Sequence, residues 1–321
     1  MCYNQEKYIV QSLESIIMQK TNFNYEIVVG DDFSTDDTLK IIMNYKKRYP
    51  DLFNIINRKI GDDYYQKRQK FGRLYNFIDI INNCKGKYIA LMDGDDYWTN
   101  PYKLQKQVDV LEKKQDYVIC FHKAKILNEL DHTEDIFPNK LNKIKSYTIK
   151  DLISGNFMHT PTLLIRKLPV IHSKLLFNKN IKTADWLITM LVAQFGKIYY
   201  LPEIMAVYRI HEGGLHSTKS KFYKANATEK LFEILKNYNN FKFLNLIKKR
   251  LEKIYISKIG HGIKNHNCPE IKGYLRKLKA LKENNIKYFI VIMHTIIILF
   301  GKMLNLYVRK FIPSIRKKIP F

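Results

Sequence analysis

The chain has 321 residues, 46% of them apolar, and carries 55 Lys and Arg against 30 Asp and Glu, a formal charge of +25. That apolar content fills the core of one large or two ordinary domains. The four cysteines (Cys2, Cys84, Cys120 and Cys268) are scattered without CxxC spacing, which excludes a disulfide framework and a thiolate metal site.

The charge is uneven. Residues 216–321 hold 24 Lys and Arg, 5 Glu and no Asp, a formal +19, whereas the first 215 residues carry +6 from 31 bases and 25 acids. A nearly balanced body with a basic end predicts a catalytic domain joined to a segment that meets a polyanion. The chain is rich in Lys, Ile, Asn and Tyr throughout, as a nucleotide bias in the gene would produce, and part of the charge follows from that. Met1 is followed at once by CYNQEKY, so no secretory leader is expected, and reduced thiols fit the cytoplasm.

In chain order, residues Asn4–Gln19 place Tyr8, Ile9, Leu13, Ile16 and Ile17 at helical spacing, with Asn4 positioned as a cap. YEIVVG (Tyr25–Gly30) is a buried strand bounded by DDFSTDD. DDTLKIIMNYKKRYPD begins acidic, ends basic and meets Pro50, a helix of correct dipole polarity. LFNIINR is a strand, FGRLYNFIDIINN (Phe71–Asn83) a helix closed by the glycine of CKGK, and KYIALM (Lys87–Met92) the next strand. Beyond it come a helix opened by Pro101, a strand over YVICFHKAKIL, the apolar helix Trp186–Gly196 and the extended run KIYYLPEIMAVYRIHEGG. After His216 the pattern is helical, amphipathic and basic. Alternating strands and helices predict an α/β domain with a mostly parallel sheet covered on both faces.

Two strand ends carry acids. Asp31 and Asp32 follow YEIVVG, and Asp93, Asp95 and Asp96 follow KYIALM in the run LMDGDDYW. Parallel strands deliver their C-terminal ends to one ligand crevice, so five carboxylates approach one region. They raise each other's pKa unless a cation neutralises them. Oxygen ligands without His or Cys spacing point to Mg2+ or Mn2+ gripping a diphosphate. Turn and cap chemistry is the favoured account of DDFSTDD taken alone, where Asp36 or Ser34 suffices as an N-cap, but it accounts less well for DGDD after a buried strand.

The ordered set CYNQEKYI, EIVVGDDFSTDDT, GKYIALMDGDDYW, NPYKLQKQ, HTPTLLIR, TADW and VYRIHEGG resembles inverting family-2 glycosyltransferases with the GT-A fold, of the bacterial cell-envelope glycan type. The likeness covers residues 1–217. It implies a Rossmann-like α/β domain over 1–215, nucleotide-binding to about residue 100 and acceptor-binding beyond, followed by a basic helical extension over 216–321.

The resemblance also implies roles. Tyr3, Asn4, Asp31 and Asp32 would lie at the nucleotide base, with Arg73 a weaker candidate for ribose or diphosphate. Asp93 and Asp95 would hold the nucleotide sugar, and Asp95, with Asp96 as an alternative, would bind Mn2+ or Mg2+. Asp185 of TADW would be the general base; it equally suits an N-cap of its helix. Ala184 stands where many relatives have an acid. Arg209 and His211 sit two apart on an extended segment, hence on one face, and His211 would approach the metal or diphosphate. His159 and Thr160 would line the acceptor cleft, with Trp186 placed either to stack on a sugar or to pack.

Relatives begin with a full apolar strand before the Tyr-Asn loop, where only Met1 and Cys2 precede Tyr3. The first strand is therefore expected to be truncated, which leaves an inactive scaffold as the alternative to an enzyme. The apolar run Tyr288–Phe300 is 13 residues long, short for a membrane span, and its basic flanks over 287–318 suit either a helix on an anionic membrane surface or a core helix. The expected enzyme is metal-dependent, cytoplasmic or peripheral on the inner face of the membrane, and moves a sugar from a nucleotide donor, UDP-linked, to a glycan or lipid-linked acceptor. Nucleic acid is the less favoured partner, because an acidic sheet edge repels phosphates.

Overall fold

The computed structural model describes residues 1–139, 143–214, 218–238, 241–265 and 267–281. The basic apolar segment 287–318 lies outside the described residues. Contacts divide the chain into two compact units between Phe243 and Leu244, so the compositional junction near residue 216 falls inside the first unit.

The first unit opens with α1 (Ile9–Ile17), which buries Ile9, Leu13 and Ile16 along one stripe. Asn4 does not cap this helix, contrary to the sequence expectation. Tyr8 stands at the N-cap, and Asn4 adopts a φ of 50° with its amide oxygen accepting from the Thr35 N–H. Next come β1 (Ile27–Val29), α2 (Thr38–Arg48) and β2 (Phe53–Ile55), and β1 pairs in parallel with β2, Ile27 opposite Phe53. The helix expected from Phe71 starts three residues later. Gly72, at a φ of 80°, separates α3 (Asp63–Phe71) from α4 (Leu74–Asn83), a break that glycine makes at little cost.

The larger sheet begins with β3 (Tyr88–Ala90) and β4 (Tyr97–Trp98), followed by α5 (Lys103–Lys113), β5 (Tyr117–Asn128), β6 (Thr133–Phe137) and β7 (Lys145–Tyr147). Then come α6 (Ile149–Ser154), β8 (Leu164–Arg166), α7 (Ala184–Ala193), β9 (Lys197–Ile210) and α8 (Lys221–Lys236). The strand order is β3-β8-β5-β9-β4, with β6 added to β5 and β7 to β9. Only β5 and β9 run parallel in this sheet; its other pairs are antiparallel. The class is α/β as expected, but the sheet is mixed. No strand among the described residues joins the β1–β2 pair to it.

α7 is apolar all round, and every residue of it except Asp185 is buried. Such a helix is a core element, so its single acid is held at a fixed place on its first turn. The β4–β9 register, Tyr97 opposite Val207, brings the loop before β4 alongside the end of β9.

In the second unit, α9 (Leu244–Lys264) buries Ile247, Leu251, Tyr255 and Ile259 at helical spacing. α10 (Cys268–Ala280) is capped by Asn267, whose side chain accepts from the Glu270 N–H. Tyr255 and Tyr274 bring the two helices together, ring centroids 5.8 Å apart. No helix among the described residues is long and apolar enough to cross a membrane.

Candidate active site

The acidic loop between β3 and β4 is fastened to the end of β9 by Arg209. Its backbone N–H donates to Asp96 Oδ1 at 2.9 Å and its Nε to the Asp95 carbonyl at 2.8 Å. Nη1 reaches Glu129 Oε1 at 2.5 Å and Nη2 reaches Gln11 Oε1 at 2.7 Å. One guanidinium, 8% exposed, thus ties together α1, the end of β5 and the acidic loop. Two residues on, His211 Nε2 lies 3.0 Å from Asp95 Oδ2, and Tyr8 packs on that imidazole with ring centroids 4.6 Å apart.

The three acids of the loop have different surroundings. Asp96 is 1% exposed and faces inward, so it builds the loop instead of lining the cleft surface. Its Oδ2 has no hydrogen-bond partner, and burial together with Asp95 and Asp93 pushes its carboxyl well above the usual range. Asp93 keeps part of its surface accessible, yet desolvation, followed by repulsion from Asp95, raises it to about 7. The Met1 ammonium opposes that rise and Asp185 adds to it.

Asp185 therefore shares the electrostatic field of Asp93, 92 positions earlier in the sequence. Tyr208 registers the same convergence. Burial raises its hydroxyl first, and Asp96, Asp93, Asp95 and Asp185 all push in the same direction. His159 stacks on Tyr208, ring centroids 4.3 Å apart and planes 19° from parallel, and burial lowers its pKa to about 4. Thr160 starts the short 3-10 turn beside it. The HTP element thus stacks on a tyrosine that feels the charge of all four carboxylates.

The expected base-binding residues form a second group. Asp32, buried, receives Arg68 Nε on both oxygens at 2.9 Å and the Tyr64 hydroxyl at 2.8 Å. Asp31 makes a turn, accepting from the Ser34 N–H at 2.9 Å and the Ser34 hydroxyl at 2.5 Å. Asn4 donates its N–H to that same hydroxyl at 3.0 Å. Tyr3, 44% exposed, lies under the Arg73 guanidinium, 5.4 Å from ring centroid to carbon. Asn4 is thus linked to the buried Asp31 through Ser34, while Tyr3 stays exposed beside Arg73.

Trp186 is a correction. It is buried, its indole N–H donates to the Leu152 carbonyl at 3.1 Å and Phe232 meets it edge-on, so it packs the core and presents no face to a sugar. Arg68, Tyr64, Glu129 and Tyr208 were not singled out from the sequence, and Tyr8 was named only for its helical spacing. Of these, Tyr208 carried a signal, since it opens the YRIH run that holds Arg209 and His211.

The resemblance implies a divalent cation, and the residues fit one that arrives with a substrate. Among the described residues, no three His, Cys, Asp or Glu side chains converge to hold a metal by themselves. Mg2+ and Mn2+ commonly take one or two carboxylates and complete their shell with water and substrate phosphates. Asp95 with His211 supplies such an edge, and the raised Asp93 and Asp96 carboxyls beside it are what an added positive charge would relieve.

A family model described as glycosyl transferase family 2 matches residues 1–168. A Mycobacterium bovis protein of uncharacterized role is 35% identical over 226 residues, 69% of this chain and 62% of that protein, so the match spans less than two thirds of this relative's length. An uncharacterized glycosyltransferase of Haemophilus influenzae is 29% identical over 324 residues, 87% of this chain and 96% of its own. A dTDP-rhamnosyl transferase of Shigella flexneri is 35% identical over 111 residues, 34% of this chain and 35% of its own.

Proposed function

Because the chain belongs to glycosyl transferase family 2, we propose that it moves a sugar, with inversion, from a nucleoside diphosphate donor to a hydroxyl of a glycan or lipid-linked acceptor in cell-envelope polysaccharide synthesis. The observation that carries this reading is the meeting of Asp95 Oδ2 with His211 Nε2 at 3.0 Å on the loop that Arg209 fastens, within the electrostatic reach of Asp93 and Asp185. Asp93 and Asp185, from two distant parts of the sequence, have no structural reason to crowd together in a basic protein, and a transferase has a chemical one.

In the proposed reaction Asp185 takes the proton of the acceptor hydroxyl as its oxygen attacks the anomeric carbon. The bond from that carbon to the diphosphate oxygen breaks, its electron pair leaves with the nucleoside diphosphate, and attack from the opposite side inverts the centre. Asp95 and His211 would hold Mn2+ or Mg2+, which when bound would stabilise the negative charge on the departing diphosphate. Asp93 and Asp95 would also orient the donor, and Tyr3, Asn4, Asp31 and Asp32 would face its base. Arg209 sets the position of the Asp95 backbone and so of the whole loop. His159 and Thr160 would border the acceptor. A UDP-linked donor remains our choice of nucleotide; the dTDP named for the Shigella flexneri relative is another pyrimidine diphosphate. The formal +19 of residues 216–321 supports work at an anionic membrane surface on the cytoplasmic side.

The test is a screen of UDP- and dTDP-sugars with Mn2+ for release of free nucleotide. Release that EDTA abolishes is the expected result. Binding of UDP and Mn2+ without turnover of any donor would select a second reading, a donor-binding scaffold, which the separation of the β1–β2 pair from the main sheet favours.

A further inference from the structure

The register of β9, β5 and β6 lays cross-strand rows of side chains on one side of the main sheet. In one row Ala206 pairs with Ala124, and Ala124 with Phe137. In the next, Tyr208 pairs with Ile126, and Ile126 with Asp135. Paired residues share a side, and alternate residues along a strand return to it, so the two rows form one surface. The rings agree with the register. Phe137 meets His159 edge to face, centroids 4.6 Å apart, and His159 in turn stacks on Tyr208. The intervening residues serve the other side, where Lys125 pairs with Glu134 at 2.6 Å and Arg209 holds the acidic loop.

This surface opens outwards. Ala206 and Ala124 are buried, Tyr208, Ile126 and Phe137 are half-buried, and Asp135 on the edge strand β6 is exposed. Strands lie about 4.8 Å apart, so two spacings carry the surface roughly 10 Å from Tyr208 to Asp135, the span of about two pyranose rings. Its near end is the tyrosine that feels Asp93, Asp95, Asp96 and Asp185. At its far end one oxygen of Asp135 accepts from the Ile136 N–H at 2.7 Å, and among the described residues the other has no partner.

The chemistry of the surface selects its occupant. A pyranose presents C–H bonds on its faces and hydroxyls around its rim, which suits an apolar floor with a few placed polar groups. Ile126, Phe137 and His159 supply such a floor; burial lowers the His159 pKa to about 4, so its ring is uncharged at neutral pH. Asp135 supplies a hydrogen-bond acceptor for a hydroxyl. Asp131, Glu134 and Asp135, all exposed on the β5–β6 hairpin, oppose an anionic ligand, and a lipid tail would leave the Asp135 carboxylate without water or partner.

We infer that this side of β9, β5 and β6 is an outer sugar subsite, which binds the second ring of a neutral glycan acceptor whose terminal hydroxyl lies beside Tyr208. Ile126 and Phe137 contact the C–H face of that ring, and the unpartnered oxygen of Asp135 accepts from one of its hydroxyls. The inference rests on the transferase reading and deepens it, because it selects acceptors of two or more sugars over single ones.

The test measures glycan binding to the full chain by ligand-observed NMR titration, with and without UDP and Mn2+. The probes are methyl glycosides of glucose, galactose, rhamnose and N-acetylglucosamine, each beside a disaccharide of the same sugar. At least one disaccharide should bind about tenfold tighter than its monosaccharide. Asp135→Ala and Phe137→Ala should each cut that preference about fivefold, the worth of one hydrogen bond or one ring contact. Ile136→Ser, on the opposite side of the same strand, should keep it. Asp135 is exposed, so its variant should fold even where the loss of Phe137 disturbs the packing of His159. Absence of a disaccharide preference across the panel, a preference that survives Asp135→Ala, or an equal loss with Ile136→Ser would each overturn the inference. Nucleotide release without the preference would sink the subsite and leave the transferase reading standing; the preference without release would do the reverse.

Discussion

His211 Nε2 and Asp95 Oδ2 meet at 3.0 Å across 116 positions of sequence, one from the end of β9 and the other from the loop after β3. The imidazole is held from the other side by Tyr8, and the Asp95 backbone by Arg209, so neither partner is free to drift. Among the described residues of the site, this contact joins two different metal-competent side chains.

His211→Ala and Asp95→Asn should each weaken Mn2+ binding to the UDP-loaded protein about 10- to 100-fold, the usual cost of disturbing a ligand or its support. Calorimetric titration of Mn2+ in the presence of UDP measures it. Unchanged Mn2+ affinity in both variants would remove this pair from the cation site.

Asp185→Asn should lower kcat by about 10²- to 10⁴-fold, the range for loss of a general base, and leave donor affinity within about twofold. The remainder of α7 is buried core, so the helix itself should persist. Separate measurement of UDP binding and of transfer distinguishes the outcomes. A matched loss of both would make Asp185 a binding residue.

Arg68→Met should destabilise the protein by about 3 kcal/mol, because it leaves the buried Asp32 carboxylate with only the Tyr64 hydroxyl as a side-chain partner. Tyr64→Phe removes one neutral donor and should cost about 1 kcal/mol. Urea denaturation reads both. UDP affinity should fall with Arg68→Met as well, if Asp32 is held by that arginine in the orientation that meets the base.

Lys103 is fully buried, its ammonium nitrogen 2.8 Å from Gln107 Oε1 and 4.0 Å from the centre of the Trp98 ring, and burial lowers its pKa to about 7. In the unfolded chain a lysine titrates near 10.4. Between pH 7 and 10 the unfolded state therefore binds a proton that the folded state has released, and stability rises with pH at about 1 kcal/mol per unit. Lys103→Met should abolish that rise. Denaturation at pH 7, 8, 9 and 10 checks it, and an equal slope in both proteins would count against a neutral buried Lys103.

The elements most legible in the sequence were those whose pattern is local. The alternation of YEIVVG and KYIALM with amphipathic helices predicted an α/β chain, and the acids after each strand marked the two loops that Arg68 and Arg209 hold. α1 appeared where hydrophobic spacing put it, and α5 begins two residues after the Pro101 expected to open it. The helix from Phe71 was misplaced because the φ of Gly72 depends on how α3 and α4 pack, not on its neighbours in sequence. Asn4 has cap chemistry but spends it on Ser34 and Thr35, thirty positions on. The mixed sheet was hidden for a related reason: β8 and β4 are short, and their direction is set by partners far along the chain.

By itself the sequence determined which residues could do chemistry, because residue type and the period of burial are local properties: acids at strand ends, and one acid on a helix otherwise apolar. Only the tertiary structure decided which of them face a common space. Asp96 and Trp186 turn inward, Asp93 and Asp185 fall within one field, and Arg209 spans Gln11, Glu129 and Asp95. Those outcomes follow from strand register, where a shift of one residue sends every side chain to the opposite face, and no local pattern encodes the register of a distant partner.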